Sequence, residues 1–380
     1  MRILVTGSRA PVALGMVRAF ARAGHTVYAA DTPRWTLASH SRHLARHFRV
    51  PAPRFDPAGF AAALERIVAA ERIDVLVPTC EEVFHVARAF DRLSALTRVF
   101  TMPLETLAGL HHKGSFQALA ASLGICTPRT VTVSSADELR AALPGFPAYL
   151  LKPAYSRFAT RIVTNGGPLA GRVLVDEVRP TPEHPWLVQE FVGGELLCSY
   201  STLHAGRVTA HCAYETPFRV DHGSGVRFVS ADGTATREIV ARIGAALGYT
   251  GQLSFDFILG ADGPVVLECN PRATSGVHLL DPAKLVGGIL DPEQPAWTEP
   301  AGRGGQLWAP LLVSVAGEPR RWRAGLAALL RGGDVVLDPR DPLPVLAQLG
   351  LGAHFAGVAR RNGTGMAAAT THDIEWNGEA

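Results

Sequence analysis

Two acidic residues fall on neighbouring stretches of alternating apolar and polar residues near position 260. Over residues 253–272, LSFDFIL and VVLECN joined by a Gly- and Pro-containing turn predict a β-hairpin. If Leu259 pairs with Val265, Asp256 lies directly opposite Glu268, with the two Cβ atoms about 5 Å apart. Two carboxylates at that distance repel each other, so we expect a cationic group beside them.

A divalent cation would offset this repulsion most simply. Oxygen atoms of Asp256, Glu268 and the Asn270 carbonyl form a hard ligand set, for which Mg²⁺ is the expected ion. Arg272 follows just beyond the strand, where it could bind a phosphate or acyl-phosphate oxygen. The alternatives are an exposed polar sheet face and a simple salt bridge from Arg272 to one of the two carboxylates.

Strand alternation also sorts the hairpin side chains onto two faces. The face expected in the core carries Phe255, Phe257, Leu259, Val265, Leu267 and Cys269. The other face carries Ser254, Asp256, Ile258, Val266, Glu268 and Asn270.

Lysine is rare in this chain. Of 37 Lys and Arg residues, only Lys113, Lys152 and Lys284 are lysine. An ammonium is a compact point charge and a guanidinium a planar fork, so a retained lysine indicates either a need for that shape or a tolerant surface position. Lys113 opens an amphipathic helix and Lys152 ends an apolar strand.

The elements that must position these residues follow from the apolar periodicity. The first hundred residues predict strands and helices in alternation: strand 3–5, helix 12–23, strand 26–31, helix 60–70 and strand 74–78. Such a pattern is typical of a parallel sheet in an α/β unit. One helix is expected over 104–123, short strands dominate to about 275, and a basic helix covers 320–331. The polar tail from Thr364 is expected to fray.

Length and composition exclude several classes of protein. A chain of 380 residues is long enough for two or three domains of roughly 100–200 residues. A formal charge of +3 without charge runs argues against a nucleic-acid partner, and no apolar run reaches the ~18 residues of a membrane span. The five scattered cysteines indicate neither disulfides nor zinc, and the opening MRILVTG matches a strand rather than an export signal, so a cytoplasmic location is expected.

The string ECNPR at 268–272 resembles the E-x-N-P-R metal-binding segment of the ATP-grasp superfamily. The resemblance covers most of residues 1–280 and includes, in the expected order, HHKGSFQALAASLGICTPRT around Lys113, YLLKPAYSR around Lys152 and VQEFVGGEL at 188–196. Among these enzymes the chain is similar to carboxylate-amine ligases, related to the ATP-grasp domain of the carbamoyl-phosphate synthase large chain.

The resemblance implies an ATP site. Lys113 and Lys152 would neutralise ATP phosphates, and Ser156, Arg157 and Arg161 occupy the place of a phosphate-covering loop. That loop is usually glycine-rich, but AYSRFATR at 154–161 has no glycine. The adenine is expected against Gln189, Glu190, Phe191 and Val192, and its ribose against Glu195. Asp256, Glu268 and Asn270 would hold Mg²⁺, for which Mn²⁺ can substitute.

The resemblance also implies a reaction. In such ligases ATP phosphorylates a carboxylate, an amine attacks the acyl phosphate, and ADP and phosphate are released, with Arg272 and Lys152 as the expected catalytic residues. The substrate residues expected are Arg219, His222, Arg272, Thr274, Ser275 and Gly276. Carbamate, thioester or phosphoryl-transfer chemistry is the alternative within the superfamily, and a subunit that binds nucleotide without turnover is a further one.

The amino-terminal segment offers a rival interpretation. TGSRAPVALG has Gly7 and Gly15 at a predicted strand-to-helix turn, and Asp31 follows at the end of the second strand. This resembles a dinucleotide fingerprint of a nicotinamide-dependent oxidoreductase, but the middle glycine is missing. The alternative is a Rossmann-like domain that only packs and forms part of a substrate wall.

The fold class expected is therefore α/β and α+β. A Rossmann-like domain over 1–104 would precede a two-lobed ATP-grasp domain over 105–290, with ATP between the lobes, and a carboxy-terminal appendage over 291–380. The expected partners are a small-molecule carboxylate and amine, and a homodimer is a further expectation.

Overall fold

The computed structural model describes residues 1–155, 162–220, 225–317 and 322–379. Its amino-terminal unit is a parallel sheet in the order β3-β2-β1-β4-β5. The strands are β1 Arg2–Thr6, β2 Thr26–Asp31, β3 Arg46–Arg49, β4 Val75–Val77 and β5 Arg98–Val99. The helices are α1 Pro11–Arg22, α2 Pro57–Glu71, α3 Val83–Arg88 and α4 Phe90–Ser94. The α/β unit predicted for this part of the chain is confirmed.

The packing of strand β1 on both faces of the sheet explains its continuous apolar sequence. Ile3 and Val5 belong to a core cluster with Phe20 of α1, whereas Leu4 belongs to a second cluster with Phe60 of α2. Both faces of the sheet are therefore covered, as parallel sheets require. Because the strands are parallel, their carboxyl ends meet at one edge of the sheet. At this edge β1 and β4 lead into loops that reach the candidate site.

The segment that follows forms two helices, α5 Leu104–His111 and α6 Lys113–Ser122, instead of the single helix expected. His112 between them has an extended backbone, and its Nδ1 accepts a 3.0 Å hydrogen bond from the N–H of Ser115. Histidine is not one of the usual capping residues, so the apolar periodicity concealed the break. The break places Lys113 at the first position of α6.

A smaller antiparallel sheet comes next, in the order β6-β9-β7-β8. Its elements are β6 Thr130–Val133, α7 Ala136–Ala142, β7 Tyr149–Pro153, β8 Val163–Thr164 and β9 Trp186–Glu190. Leu151 and Val188 lie in its own core cluster, to which Leu139 of α7 also belongs. This sheet forms one lobe, with Lys152 on β7, one of its two inner strands.

The largest sheet has the order β14-β13-β10-β11-β12-β16, with β15 paired to β11. Its strands are β10 Glu195–His204, β11 Arg207–Arg219, β12 Gly225–Ala231, β13 Gly251–Gly260, β14 Gly263–Asn270, β15 Trp297–Thr298 and β16 Gly304–Gln306. Helices α8 Thr234–Leu247 and α9 Pro282–Leu290 accompany it. Because β15 and β16 lie beyond residue 290, the expected appendage contributes strands to this sheet.

The remaining helices are α10 Trp308–Gly317, α11 Trp322–Arg331, α12 Leu343–Asn362 and α13 Met366–Ala369. Leu351 and Phe355 of α12 share a core cluster with Leu14 and Leu37 of the amino-terminal unit. The carboxy-terminal segment therefore packs back against the first residues of the chain. Within the described residues, no helix combines the length and apolar character needed to cross a membrane.

The tail, residues 364–379, is folded, which corrects the expectation that it frays. Ile374 and Trp376 expose only 2% and 4% of their surfaces, and the Trp376 ring stacks on Phe84 with centroids 5.1 Å apart. Asp373 pairs with Arg9 at 2.5 Å. Two apolar side chains and one carboxylate thus anchor a segment whose overall composition is polar.

Candidate active site

The hairpin of β13 and β14 places Asp256 opposite Glu268, as predicted. The expected pairing of Leu259 with Val265 is wrong, because Leu259 pairs with Pro264. A β-bulge at Leu267 inserts one extra residue on β14 and restores the predicted pairing of the two carboxylates.

The bulge also changes which face two side chains occupy. Val266, expected on the polar face, is fully buried in a core cluster, whereas Leu267, expected in the core, lines the candidate cavity. The side-chain amide of Gln117 on α6 donates to the Leu267 carbonyl at 2.8 Å and to the Val266 carbonyl at 3.2 Å. These bonds satisfy backbone groups at the bulge. Leu259, also expected in the core, is 38% exposed.

Two lysine ammonium groups face the carboxylate pair. Nζ of Lys113 lies 3.7 Å and Nζ of Lys152 lies 3.9 Å from Oε2 of Glu268. They come from different elements, the start of α6 and the strand β7, and both residues are buried. The third lysine, Lys284, lies elsewhere, with its Nζ 4.9 Å from the centre of the Trp297 ring.

Burial and these charges shift the pKa values of the two carboxylates and of Lys152 in different directions. Burial and the Glu268 charge raise the pKa of Asp256. Burial alone would also raise the pKa of Glu268, but the two lysines outweigh it and lower the pKa. Burial lowers the pKa of Lys152 to about 8, although Glu268 opposes that shift. The lysines therefore stabilise the charged form of Glu268, whereas burial and the Glu268 charge disfavour the charged form of Asp256.

The residues present fit a hard divalent ion. Asp256 and Glu268 supply carboxylate oxygens, and the Asn270 side chain lies beside them, with its Nδ2 3.5 Å from Oδ2 of Asp256. Among the described residues no three His, Cys, Asp or Glu side chains gather as a metal site. Two carboxylates are nevertheless sufficient for Mg²⁺, which usually takes its other ligands from water and substrate phosphates.

Arg272 lies beside this group and is held by a carboxylate that the sequence analysis missed. Its Nε donates to Oε1 of Glu81 at 2.8 Å, and its Nη2 donates to Oδ1 of Asn270 at 3.3 Å. The predicted alternative of a salt bridge to Asp256 or Glu268 is therefore replaced by one to Glu81. Glu81 follows the carboxyl end of β4, the edge at which open α/β sheets bind ligands, and this position was the available signal.

One cavity of about 940 Å³ collects most of the predicted site residues. They are Lys113, Lys152, Gln189, Glu190, Phe191, Val192, Arg219, Asp256, Glu268, Asn270, Arg272, Thr274 and Ser275. Four others, Ser156, Arg157, Arg161 and His222, lie outside the described residues. The described part of the site thus brings the expected nucleotide, metal and substrate residues to a single space.

The segment expected to bind adenine, residues 189–192, spans the end of β9 and the two residues that follow it. The N–H of Glu190 donates to the Arg129 carbonyl at 2.8 Å, and the N–H of Phe191 donates to the Ala148 carbonyl at 3.0 Å. Gln189 uses its side-chain amide to bind the hydroxyl of Thr130 at 2.9 Å. Adenine contacts from Glu190 and Phe191 would therefore use groups other than these N–H donors.

Two of the predicted residues that the structure describes do not line the cavity. Glu195 is exposed at the start of β10, where it pairs with Leu259. Gly276 is buried, and a Cβ atom there would lie 2.5 Å from Cβ of Tyr200. Close packing accounts for this glycine, whereas its neighbour Thr274 lines the cavity and shares hydrogen bonds of 3.0 Å with Tyr214 and Ser254.

The amino-terminal turn is filled by the protein's own side chains. The N–H of Arg9 and its guanidinium bind Asp31, at 2.8 Å and 2.5 Å, so the acidic residue of the fingerprint-like segment is already paired. Gly7 has φ +70°, and a Cβ there would approach Thr79 and Glu82 within 3 Å. These contacts explain the glycine and the acidic residue without a dinucleotide.

Comparison with known proteins places this geometry in context. No sequence-family model matches the chain. The structure is similar to N5-carboxyaminoimidazole synthetase from Staphylococcus aureus complexed with ADP, at 12% identity over 78% of this chain and 79% of that one, with a TM-score of 0.61. It is also similar to an L-amino acid ligase from Bacillus licheniformis, at 15% identity over 73% and 69% of the two chains, with a TM-score of 0.55.

A third similar structure is the biotin carboxylase domain dimer of a 2-oxoglutarate carboxylase from Hydrogenobacter thermophilus, in complex with MgADP, ADP and bicarbonate. Its identity is 13% over 78% of this chain and 71% of that one, with a TM-score of 0.60. At these identities the likeness establishes the fold. The chain has the ATP-grasp fold that its motifs resemble, preceded by a Rossmann-like unit.

Proposed function

We propose that this protein is an ADP-forming ligase that activates a carboxylate with ATP and joins it to an amine. One observation carries the proposal: the paired carboxylates Asp256 and Glu268 share a cavity with Arg272 and with two lysine ammonium groups within 4 Å of Glu268. Such a set suits a polyphosphate and its divalent ion, because catalysis of phosphoryl transfer is mostly positioning and charge stabilisation.

The side chains divide this work. Lys113 and Lys152 would hold phosphate oxygens, and both are sufficiently buried for their charges to act strongly. Asp256, Glu268 and Asn270 would hold Mg²⁺, which when bound neutralises phosphate charge. Arg272 would face the transferring phosphoryl group, and Glu81 would orient its guanidinium.

The proposed reaction has two steps. A carboxylate oxygen of the substrate attacks the γ-phosphorus of ATP, the bond to the β-phosphate oxygen breaks, and ADP leaves. The amine nitrogen then attacks the acyl carbon, loses a proton, and expels inorganic phosphate. No protein nucleophile is required, and the positive side chains around the cavity stabilise the charge that develops on phosphate.

The nicotinamide oxidoreductase receives no support from the amino-terminal turn. Its acidic residue, Asp31, is paired with Arg9, and Gly7 packs against Glu82. A dinucleotide would have to displace these contacts.

The partners proposed are a small-molecule carboxylate and amine. Mn²⁺ substitution, a homodimer, a cytoplasmic location and the domain limits at 104 and 290 stay predictions. The names of the similar structures refer to different acceptors, so they indicate the fold and not the substrate of this chain.

The proposal is tested by ADP and phosphate release from ATP and MgCl₂ against a panel of amino acids and small carboxylates, with products identified by mass spectrometry. Glu268→Ala is compared with Asp262→Ala, which changes an exposed acidic residue in the turn of the same hairpin. Substrate-stimulated ADP release with a condensed product, lost only in Glu268→Ala, would support the ligase. ATP binding without turnover on any substrate, or no ATP binding, would contradict it.

A further inference from the structure

A second part of the candidate cavity has an apolar wall. It is lined by the start of α1, the middle of α12 and the tail, with Val12, Leu37, Val336, Leu351, Phe355 and Ile374 as the main side chains. Each of these residues exposes 9% or less of its surface, so each is fixed by its packing. The wall is therefore a preformed apolar surface and not a set of mobile side chains.

The buried guanidinium in this part of the wall is already paired with two carboxylates. Arg9 is 5% exposed, and its guanidinium pairs with Asp31 and with Asp373, both at 2.5 Å. The guanidinium carbon also lies 5.8 Å from the centre of the Phe355 ring. A charged ligand group would compete with these buried ion pairs, whereas an apolar group would leave them intact.

The cavity is large for a single binding pocket. Its volume of about 940 Å³ lies near the upper end of the ~300–1,000 Å³ that pockets for one drug-sized ligand span. Gly352 of α12 lines it, and a Cβ atom at Gly352 would meet no atom within 4 Å. Open space therefore lies next to the apolar wall.

We propose that one of the two substrates carries a bulky aliphatic or aromatic group, which binds against this apolar wall while its reacting group lies near Arg272. This inference rests on the proposed ligase function and names the substrate class for it. The apolar group could belong to the carboxylate or to the amine, and the same surface would recognise either.

Gly352→Leu is the direct test because it fills the proposed space from a helix. Leucine is a better helix former than glycine, so we expect the variant to fold. The matched control is Gly357→Leu, on the same helix, where a Cβ meets only the end of the flexible Arg361 side chain and the residue does not line the cavity. Circular dichroism and thermal unfolding check that both variants are folded.

The assay has a carboxylate arm, acetate against hydrocinnamate, and an amine arm, methylamine against phenethylamine, each offered with a mixture of partner compounds. In the wild type we expect the bulky member of one arm to exceed the small one by at least ~10-fold in kcat/KM, the scale on which apolar pockets discriminate. Gly352→Leu should remove that preference and Gly357→Leu should keep it. The responding arm identifies which substrate carries the group.

Equal kcat/KM for small and bulky compounds in both arms, or an equal loss of the preference in the two variants, would overturn the inference. Neither result would contradict the proposed ligase function. If no compound supports turnover, the ligase fails, and calorimetric binding of hydrocinnamate and phenethylamine decides the inference separately. Binding that Gly352→Leu abolishes would support the apolar site, and no binding to the wild type would overturn it.

Discussion

Nε of Arg272 lies 2.8 Å from Oε1 of Glu81, so the segment that follows β14 is joined to the end of β4 in the amino-terminal unit. Glu81 is only 2% exposed, and its charge raises the pKa of Arg272 despite the opposing effect of burial. The guanidinium is therefore held charged and in one orientation at the cavity. This contact makes the amino-terminal unit part of the proposed active site.

Glu81→Gln should weaken catalysis without abolishing nucleotide binding. Loss of the charged partner lets Arg272 rotate, and a decrease of about 10- to 100-fold in kcat/KM is typical when such supporting contacts are removed. Steady-state ADP release measures it. Glu65→Gln, which affects the surface pair with Arg92, is the control and should be neutral. Wild-type kinetics in Glu81→Gln would refute the orienting role.

Asp256→Asn should reduce turnover without reducing the stability of the fold. Neutralising Asp256 removes the repulsion from Glu268, so without metal the variant should be as stable as the wild type or more stable. Its turnover should decrease by roughly 10²- to 10⁴-fold, since the loss of a metal ligand costs several kcal/mol of charge stabilisation. Denaturant unfolding in EDTA and a MgCl₂ titration of ADP release measure the two effects. Unchanged magnesium dependence would argue against the metal site.

The three lysines supply an internal comparison. Lys113→Met and Lys152→Met should each reduce turnover about 10²- to 10³-fold, because each removes a buried charge from the phosphate site. Lys284→Met, which affects only a site beside Trp297, should not. ATP should also protect Lys113 and Lys152 from acetylation, followed by mass spectrometry, and leave Lys284 reactive. Equal protection of all three lysines would contradict this assignment.

Trp376 should matter for stability. The residue is 4% exposed and packs on Phe84 and Tyr155, so Trp376→Ala should cost about 3–5 kcal/mol in the free energy of unfolding. Trp322 is 55% exposed, and Trp322→Ala should change the free energy by less than about 0.5 kcal/mol. Urea unfolding compares them. Similar small effects would mean that the tail is not anchored as described.

His211 should make the fold sensitive to acid. It is fully buried between the hydroxyls of Ser201 and Thr236, and burial lowers its pKa from 6.5 to about 3. Below pH 6.5 the unfolded chain binds a proton that the folded protein does not, so stability decreases as the pH falls towards 3. At about pH 5.5 this one residue should cost roughly 1.4 kcal/mol.

His211→Gln removes the titrating group and keeps hydrogen-bonding capacity. The decrease in unfolding free energy between about pH 7.5 and 5.5 should be smaller in this variant by roughly 1.4 kcal/mol. Denaturant titrations at the two pH values measure it. An identical pH dependence in variant and wild type would show that His211 titrates normally.

The spacing of apolar residues predicted helices and strands well wherever a single periodicity dominated the local sequence. Strand β1 and helix α1 follow from their apolar residues and the spacing of those residues. The bulge at Leu267 did not, because its backbone groups are satisfied by Gln117, which lies far away in the sequence. Side-chain faces beyond a bulge therefore depend on tertiary contacts.

Residues whose roles depend on distant partners were also missed. Glu81 acts through Arg272, and the tail is held by Arg9 and Phe84, near the other end of the chain. Their local sequences contain no periodicity or motif that indicates these partners. The motif around 268–272, by contrast, indicated the carboxylates directly, although their predicted pairing holds only because the bulge offsets a one-residue error in register.

The most direct test of the central claim follows a heavy oxygen isotope placed in the substrate carboxylate. Once a substrate pair has been found, an acyl-phosphate route transfers one labelled oxygen to inorganic phosphate for each product formed, and mass spectrometry of the phosphate detects it. We expect one labelled oxygen in phosphate and none in the nucleotide. Label in AMP, or unlabelled phosphate, would contradict activation of a carboxylate by the proposed site.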